Sequence, residues 1–522
     1  MGRRAGDYET FQNLASLRAM EAGSAKQTFG AVDLGADSGR VFVGGFDGGR
    51  VELREVHRFA NRPVRLPDGL RWNLLGLFEE AVHGLSIAVA EEGELDSVAF
   101  DSWAVDYGLL DGGGRLLGLP YHYRDPRSRE MVARAAARVA PERSYRLTGI
   151  QALPINTAFQ LLSEEGSEAL AAADRLALIP DLLSFWLSGE LANERTVAST
   201  TGLLEARSGA WSREVIEGLG LPAHIFGAVV EPATVLAPAL ERHGLGPTSV
   251  VATASHDTAA AFVAAPVEPH SAAAILSSGT WSILGVELGE PVLDAAAQAA
   301  NLSNEAGVGG TTRLLKNVMG LWLEQECRRS WAERGEELSF AELERLAAAA
   351  GDAEVALFDP DHPSLLEPGD MPARIAALCA EAGRPAPSEP GAMARSILLS
   401  LACKYRLVLE QLEQVSGRPA PCVHVVGGGS RNALLCGFTA ELLDRPVIAG
   451  PVEASALGNI LVQAIALGEL GSLAEAHAVA RASSTREVYE PGDDRDRAEA
   501  IYGRFLDAIA STPPAPMSIE RI

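Results

Sequence analysis

Two short polar loops, each set between apolar runs, carry residue types suited to gripping phosphate. The first, "GADSGR" at 35–40, follows "AVDL" and precedes "VFV". Gly35 and Gly39 allow successive amides to converge into an anion-binding nest, to which Ser38 adds a hydroxyl and Arg40 a fixed cation. Asp33, at the end of the preceding run, is positioned for hydrated Mg2+, which takes one or two carboxylates together with phosphate oxygens. The second loop, "SSGTWS" at 277–282, offers Ser278, Gly279 and Thr280 in the same setting. Two such hairpins facing each other hold a polyphosphate from both sides. Neither matches the Walker pattern, so a P-loop NTPase is not indicated. Between them, "SHDT" at 255–258 stands where an apolar strand opens into a helix. Ser255 is suited to cap that helix and Asp257 to complement its dipole. A carboxylate at such a strand end also faces the ligand cleft of an open α/β sheet. Phosphoryl transfer to a hydroxyl needs a carboxylate there to orient the alcohol and take its proton.

Other stretches read two ways. "VVGGGSRN" at 425–432 fits the first two glycines of a dinucleotide fingerprint with Gly427 and Gly429, and Glu453 lies near the usual acidic position. Asn432 stands where the third Gly or Ala belongs, which favours a glycine surface for adenine or its ribose instead. In "FDSWAVDYG" at 100–108, Asp101 and Trp103 share a strand face, while Asp106 and Tyr107 are candidates for bonding hydroxyls. Spacing in "TTRLLKNVMGLWLEQECRRSW" predicts an amphipathic helix over 311–331, with Arg313, Lys316 and Asn317 polar where a buried face is expected. Lysine occurs only three times (Lys26, Lys316, Lys404), so Lys316 stands out in an arginine-rich chain.

The elements that must position these loops follow from the pattern. Residues 29–59 read as a run of hairpin strands, and 97–121 as another strand pair turning at "DGGG". Residues 129–245 read as mostly helical, and the strand–loop–strand pattern returns at 272–288, which suggests two related lobes. Strands alternating with helices mean α/β. At 522 residues the chain exceeds what one core usually serves. The expected division is an extension at 1–27, an N-terminal lobe at 28–266, a C-terminal lobe at 267–495 and a helix and tail at 496–522. Met20 is an alternative start, and the leading residues lack the apolar core of a signal peptide. A net charge of −25 disfavours nucleic acid and anionic membranes as partners. Five scattered cysteines without C-x-x-C spacing point to a reduced, cytoplasmic protein.

Together, "VDLGADSGRV", "DSWAVDYGLLD", "YRDPRS", "TGIQALPINT", "ASHDTAAAFVAAP", "SSGTWS", "NLSNEAGV", "LLKNVMGLW", "VVGGGSRNALL" and "GPVEASALGNI" make the chain resemble the FGGY carbohydrate kinases over roughly residues 28 to 490. The resemblance implies two ribonuclease-H-like (actin-type) lobes with ATP and sugar between them. It further implies Mg2+-dependent transfer of the ATP γ-phosphoryl group to the 1-hydroxyl of L-rhamnulose. By the same resemblance, Ala36, Asp37, Ser38, Gly39 and Arg40 match the first ATP loop, and Asp257 the proton acceptor. His256 and Thr258 then meet the sugar beside it, Asn317 the sugar from the other side, Thr280 an ATP phosphate, and Gln325 and Gly428 the nucleotide. Ala104 stands where many relatives have Gly against the sugar, which narrows that part of the pocket, and Asp37 replaces a Ser found in some. The partners are thus MgATP and a small ketose, with monomer or dimer left open. The competing readings are a sister kinase for fuculose or xylulose, a nicotinamide oxidoreductase using "GGGSRN", and a non-catalytic actin-like ATP switch.

Overall fold

The computed structural model describes residues 26–268, 272–352 and 355–511. The extension expected at 1–27 lies outside the described residues up to residue 25, and so does the tail beyond 511. Two sheets dominate. The first is built from β1 (Gln27–Leu34), β2 (Ser38–Phe46), β3 (Val51–Ala60), β4 (Ser97–Ser102), β5 (Thr234–Pro238) and β6 (Ser249–Ala252), in the order β5-β6-β4-β1-β2-β3. The second comprises β7 (Ala274–Ser278), β8 (Trp281–Leu288), β9 (Ser303–Ala306), β10 (Thr312–Met319), β11 (Val423–Val426), β12 (Val447–Ala449) and β13 (Glu487–Tyr489), in the order β9-β10-β8-β7-β11-β12-β13. Each has the same centre. β1 pairs antiparallel with β2 and parallel with β4, just as β7 pairs antiparallel with β8 and parallel with β11. Central strands covered on both faces read as continuous apolar runs, and β1 is buried from Phe29 to Leu34.

Helices fill the space around and between the sheets. α1 (Leu74–Glu92) covers the first sheet, and α2 (Thr157–Ser163) lies farther along the same lobe. α3 (Asp257–Val263) leaves β6, while α4 (Trp322–Glu333) follows β10. α5 (Pro390–Ser416) crosses the core of the second lobe, and α6 (Ala433–Leu443) follows the triple glycine. α7 (Ala454–Ala466) joins the lobes. Its Gly458 lies so near α3 that a Cβ there would sit 1.8 Å from the Ala260 carbonyl oxygen. The run of alanines at 259–261 is the matching feature, since small side chains let two helix backbones approach. α7 also reaches the first sheet, where Gln463 Nε2 donates to the Gly30 carbonyl (2.9 Å) and Asn459 Nδ2 to Asp101 Oδ2 (2.6 Å). One apolar cluster, from Phe29 and Phe42 through Phe262 to Ile460 and Val426, therefore runs through both lobes.

Several sequence expectations change. The helix expected over 311–331 is strand β10 followed by α4. Short strands interrupt the helical stretch at 129–245, and Tyr107–Leu110 pairs with Arg175–Leu178 instead of across the "DGGG" turn alone. α3 is capped at His256, not Ser255, and without a side-chain hydrogen bond. No helix among the described residues is long and apolar enough to cross a membrane.

Candidate active site

The ends of β1, β4, β7 and β11 open onto one cleft of about 740 Å3, within the range for a nucleotide and a small sugar. Register alone sets its electrostatics. Asp33 on β1 sits opposite Arg40 on β2 and beside Asp101 on β4. The Arg40 guanidinium donates to Asp33 Oδ2 (2.5 Å), and its other arm meets Glu453 at the start of α7. Glu453 thus serves the first loop from the opposite lobe, not as the ribose ligand of a dinucleotide fold. Burial, and then the charge of Asp33, pushes the Asp101 carboxyl well above the usual range. Burial likewise raises Asp33, against the pull of Arg40.

The two polar loops, expected to grip phosphate, face each other. Thr280 Oγ1 on the second loop donates to Asp37 Oδ2 on the first at 3.0 Å, so Asp37 points across the cleft. Neither Gly35 nor Gly39 adopts a left-handed backbone, contrary to the expected nest. A Cβ at Gly39 would lie 2.2 Å from the Phe59 ring, so close packing explains that glycine, and the Gly35 amide already donates to the Ser38 carbonyl (2.9 Å). In the triple glycine, Gly427 is left-handed (φ 83°), and a Cβ at Gly429 would lie 2.0 Å from Ser278 Oγ. The glycines let this turn lie against the second phosphate loop, while Gly428 faces open space.

Asp257 begins α3 at the base of the cleft. Its side chain is 28% exposed, yet burial pushes its pKa up to about 6, with a smaller upward push from Asp33 opposed by His256. Its Oδ1 accepts from the Thr258 amide at 2.6 Å and lies 3.4 Å from His256 Nε2. Ala36, Asp33, Ser38, Arg40, Ala104, His256, Thr258, Thr280, Asn317, Gln325 and Gly428 all line this cleft with Asp257. His256, expected against the sugar, has both ring nitrogens facing protein groups, since Nδ1 lies 3.3 Å from Glu305 Oε2. Asn317 is on strand β10, and Gln151 Oε1 accepts from its backbone amide (2.9 Å) and its side chain (3.1 Å). Gln325 Oε1 is buried with no partner among the described residues, an acceptor suited to an amino group.

Three candidates fall elsewhere. Asp106 lies inside the lobe, accepting from the indoles of Trp72 (2.6 Å) and Trp103 (3.0 Å), and Tyr107 donates to Glu164. Lys316 turns away from the cleft and donates to the Ala300 carbonyl at 2.6 Å. Period two on β10 explains the split, with Arg313 and Asn317 on one face and Lys316 on the other. Tyr123, Asn156 and Glu305, which the sequence alone gives no role, also line the cleft. Polar residues within apolar "TGIQALPINT" and "NLSNEAGV" were the available signal.

No group of three or more ligating side chains among the described residues forms a ready metal site. Asp33 nevertheless fits Mg2+, because that ion keeps most of its water and needs one carboxylate beside phosphate oxygens. Burial first, with the charge of Asp33 adding to it, raises Asp101 and Asp257, and a divalent cation would offset that added charge.

Residues 68–264 match the N-terminal domain, and residues 274–467 the C-terminal domain, of the FGGY family of carbohydrate kinases. A rhamnulokinase from Bacteroides thetaiotaomicron is 40% identical over 491 residues, covering 93% of this chain and 100% of the relative. A rhamnulokinase from Enterococcus faecalis is also 40% identical, over 92% of this chain and 98% of its own. Among solved structures, a ligand-bound xylulose kinase from Lactobacillus acidophilus superposes with a TM-score of 0.75 at 15% identity, covering 92% of this chain and 97% of that one. Plasmodium falciparum glycerol kinase with ADP gives 0.74 at 14%, over 94% and 98% of the two chains. These likenesses show the actin-like two-domain ATPase fold. With both domains matched and the cleft between them lined as described, the chain belongs to the FGGY family of carbohydrate kinases, phosphotransferases that act on an alcohol group.

Proposed function

We propose that the protein transfers the γ-phosphoryl group of MgATP to the 1-hydroxyl of L-rhamnulose. The observation that carries this reading is one cleft in which Asp257 lies between two phosphate loops already linked by Asp37 and Thr280. The names of the relatives supply the sugar. Asp257 accepts the proton of the sugar hydroxyl as its oxygen bonds to the γ-phosphorus, and the bond to the ADP oxygen breaks. Arg40, Ser38 and Thr280 stabilise the phosphate charge from opposite sides. Gln325 and the Gly427–Gly429 turn take the nucleoside end. Asp33 is the residue that would hold Mg2+, which when bound neutralises phosphate charge. Thr258 and Asn317 orient the sugar, with Ala104 closing the pocket behind it. Contact of the lobes excludes water that would otherwise hydrolyse ATP. All five cysteines are unpaired, which suits a reducing compartment and so a cytoplasmic enzyme.

The test is a coupled ADP-release assay over a panel of ketoses and polyols, with the product position read by NMR. Fastest turnover on L-rhamnulose with phosphate on O1 is expected. A higher kcat/KM for fuculose or xylulose would reassign the substrate, and ADP release without any sugar acceptor would overturn the kinase reading.

A further inference from the structure

The base does not stand in its own lobe alone. His256 Nε2 lies 3.4 Å from Asp257 Oδ1, and its Nδ1 faces Glu305 Oε2 at 3.3 Å. Glu305, on β9, accepts from Arg313 Nη2 on β10 at 3.1 Å, and that same nitrogen lies 3.3 Å from His256 Nδ1. Asp257 and His256 belong to the first lobe, Glu305 and Arg313 to the second. The Arg313 side chain is fully buried, and Glu305 is 3% exposed. A buried ion pair is costly to desolvate and so is weak evidence for stability, and this one is aimed at a single ring. Strand pairing places the two residues, since Glu305 sits opposite Arg313 across β9 and β10. On the other side, the His256 amide faces Thr196 Oγ1 (3.3 Å), and the bridge between Ser102 and His256 ties the segment to β4.

We propose that Glu305 and Arg313 are positioning residues for the general base: reaching across from the second lobe, they hold the His256 ring with Nε2 toward Asp257 and so couple the base to the contact between lobes. The inference rests on the kinase reading above. The ring edge favours the carboxylate form of Asp257, and Glu305 sustains that polarity. Other charged groups around the set are Asp33 and Asp101 on the first sheet, Glu194 ahead of the short helix at 195–199, and Glu287 on β8. Among the described residues the His256 ring pairs with Glu305 and Asp257 and with none of these four carboxylates.

Glu305→Gln and His256→Gln in the full chain, alone and combined, test this through the pH profile of kcat/KM for the ketose. Each single variant is expected to lower kcat at least about tenfold, the scale of one misplaced catalytic contact. Each should also move the acid limb to higher pH, while the KM for MgATP stays within about twofold. The double variant should be no worse than the poorer single one, because both act through one ring. A limb that stays in place, or losses that multiply in the double variant, overturns the proposal. If Glu305→Gln fails to fold, His256→Gln alone still decides, since an unmoved limb there removes the link to Asp257. Wild-type enzyme inert on every ketose would overturn the kinase reading and this inference with it. Normal wild-type turnover with unmoved variants overturns the inference alone.

Discussion

At the acceptor end, Asp33, Asp257 and Glu305 line the cleft, and the buried Asp101 and Arg313 stand behind them on strands β4 and β10. The nucleotide end is lined by the Gly427–Gly429 turn, the half-exposed Phe340 and Gln325, and its charged residues Glu324, Glu344 and Arg431 sit on helices and turns, not on the sheet strands. Charge borne on the sheet strands organises one end, and backbone shape contributes more at the other. The difference follows from the chemistry each must do. In the proposed reaction a proton and a phosphoryl group move at the first, where fixed charges act in a low dielectric. At the second only recognition is needed, and backbone surface with a few polar contacts suffices.

Removing the base should break the charged end with the largest effect. Asp257→Asn keeps shape and one acceptor, and is expected to lower kcat by roughly 10²–10⁴-fold, the usual range for a positioned general base. ADP affinity by calorimetry should stay unchanged, since the shape-based end is untouched. Next in size is Arg40→Gln, which removes the cation shared by Asp33 and Glu453. A kcat loss on the order of 10²-fold is expected in steady-state assays, as for deletion of one preorganised donor. Smaller again is the pH effect. With the folded-state pKa of Asp257 raised to about 6, the base is protonated and idle below that value. Activity is therefore gained as pH rises through about 6, and kcat/KM should fall about tenfold per unit below it. A profile flat from pH 5 to 8 would remove Asp257 from the proton-transfer step.

The same contrast explains what the sequence made legible. Asp33, Asp257 and the two hairpin loops were readable because a polar residue ending an apolar strand departs from the local pattern. The two-lobe α/β arrangement was readable from the recurrence of that pattern at 272–288. β10 was misread because "RLLKNVM" satisfies a helical period as well as alternation, and only pairing with β8 and β9 decides. The Glu305–Arg313–His256 contacts are not legible in the sequence, since His256 and Glu305 lie 49 positions apart and strand register, not spacing, brings them together. Gly39 was legible as a glycine but not for its reason, because the Phe59 ring that excludes a side chain lies on the next strand.

Gln325 offers the smallest test and the one that probes shape directly. It sits on the first turn of α4, and its Oε1 is buried without a donor among the described residues. A buried acceptor left unpaired costs about 1–3 kcal/mol, so a ligand that supplies an N–H recovers part of that on binding. Gln325→Leu keeps the volume and removes the acceptor. The KM for ATP should rise about fivefold, a change near 1 kcal/mol, while kcat and the sugar KM hold steady. GTP, which presents a carbonyl where ATP has its amino group, should be discriminated against by the wild-type enzyme and less so by the variant. If the variant lowers kcat with the ATP KM unmoved, Gln325 belongs to the charged end of the cleft, and the division drawn between the two ends fails at that residue.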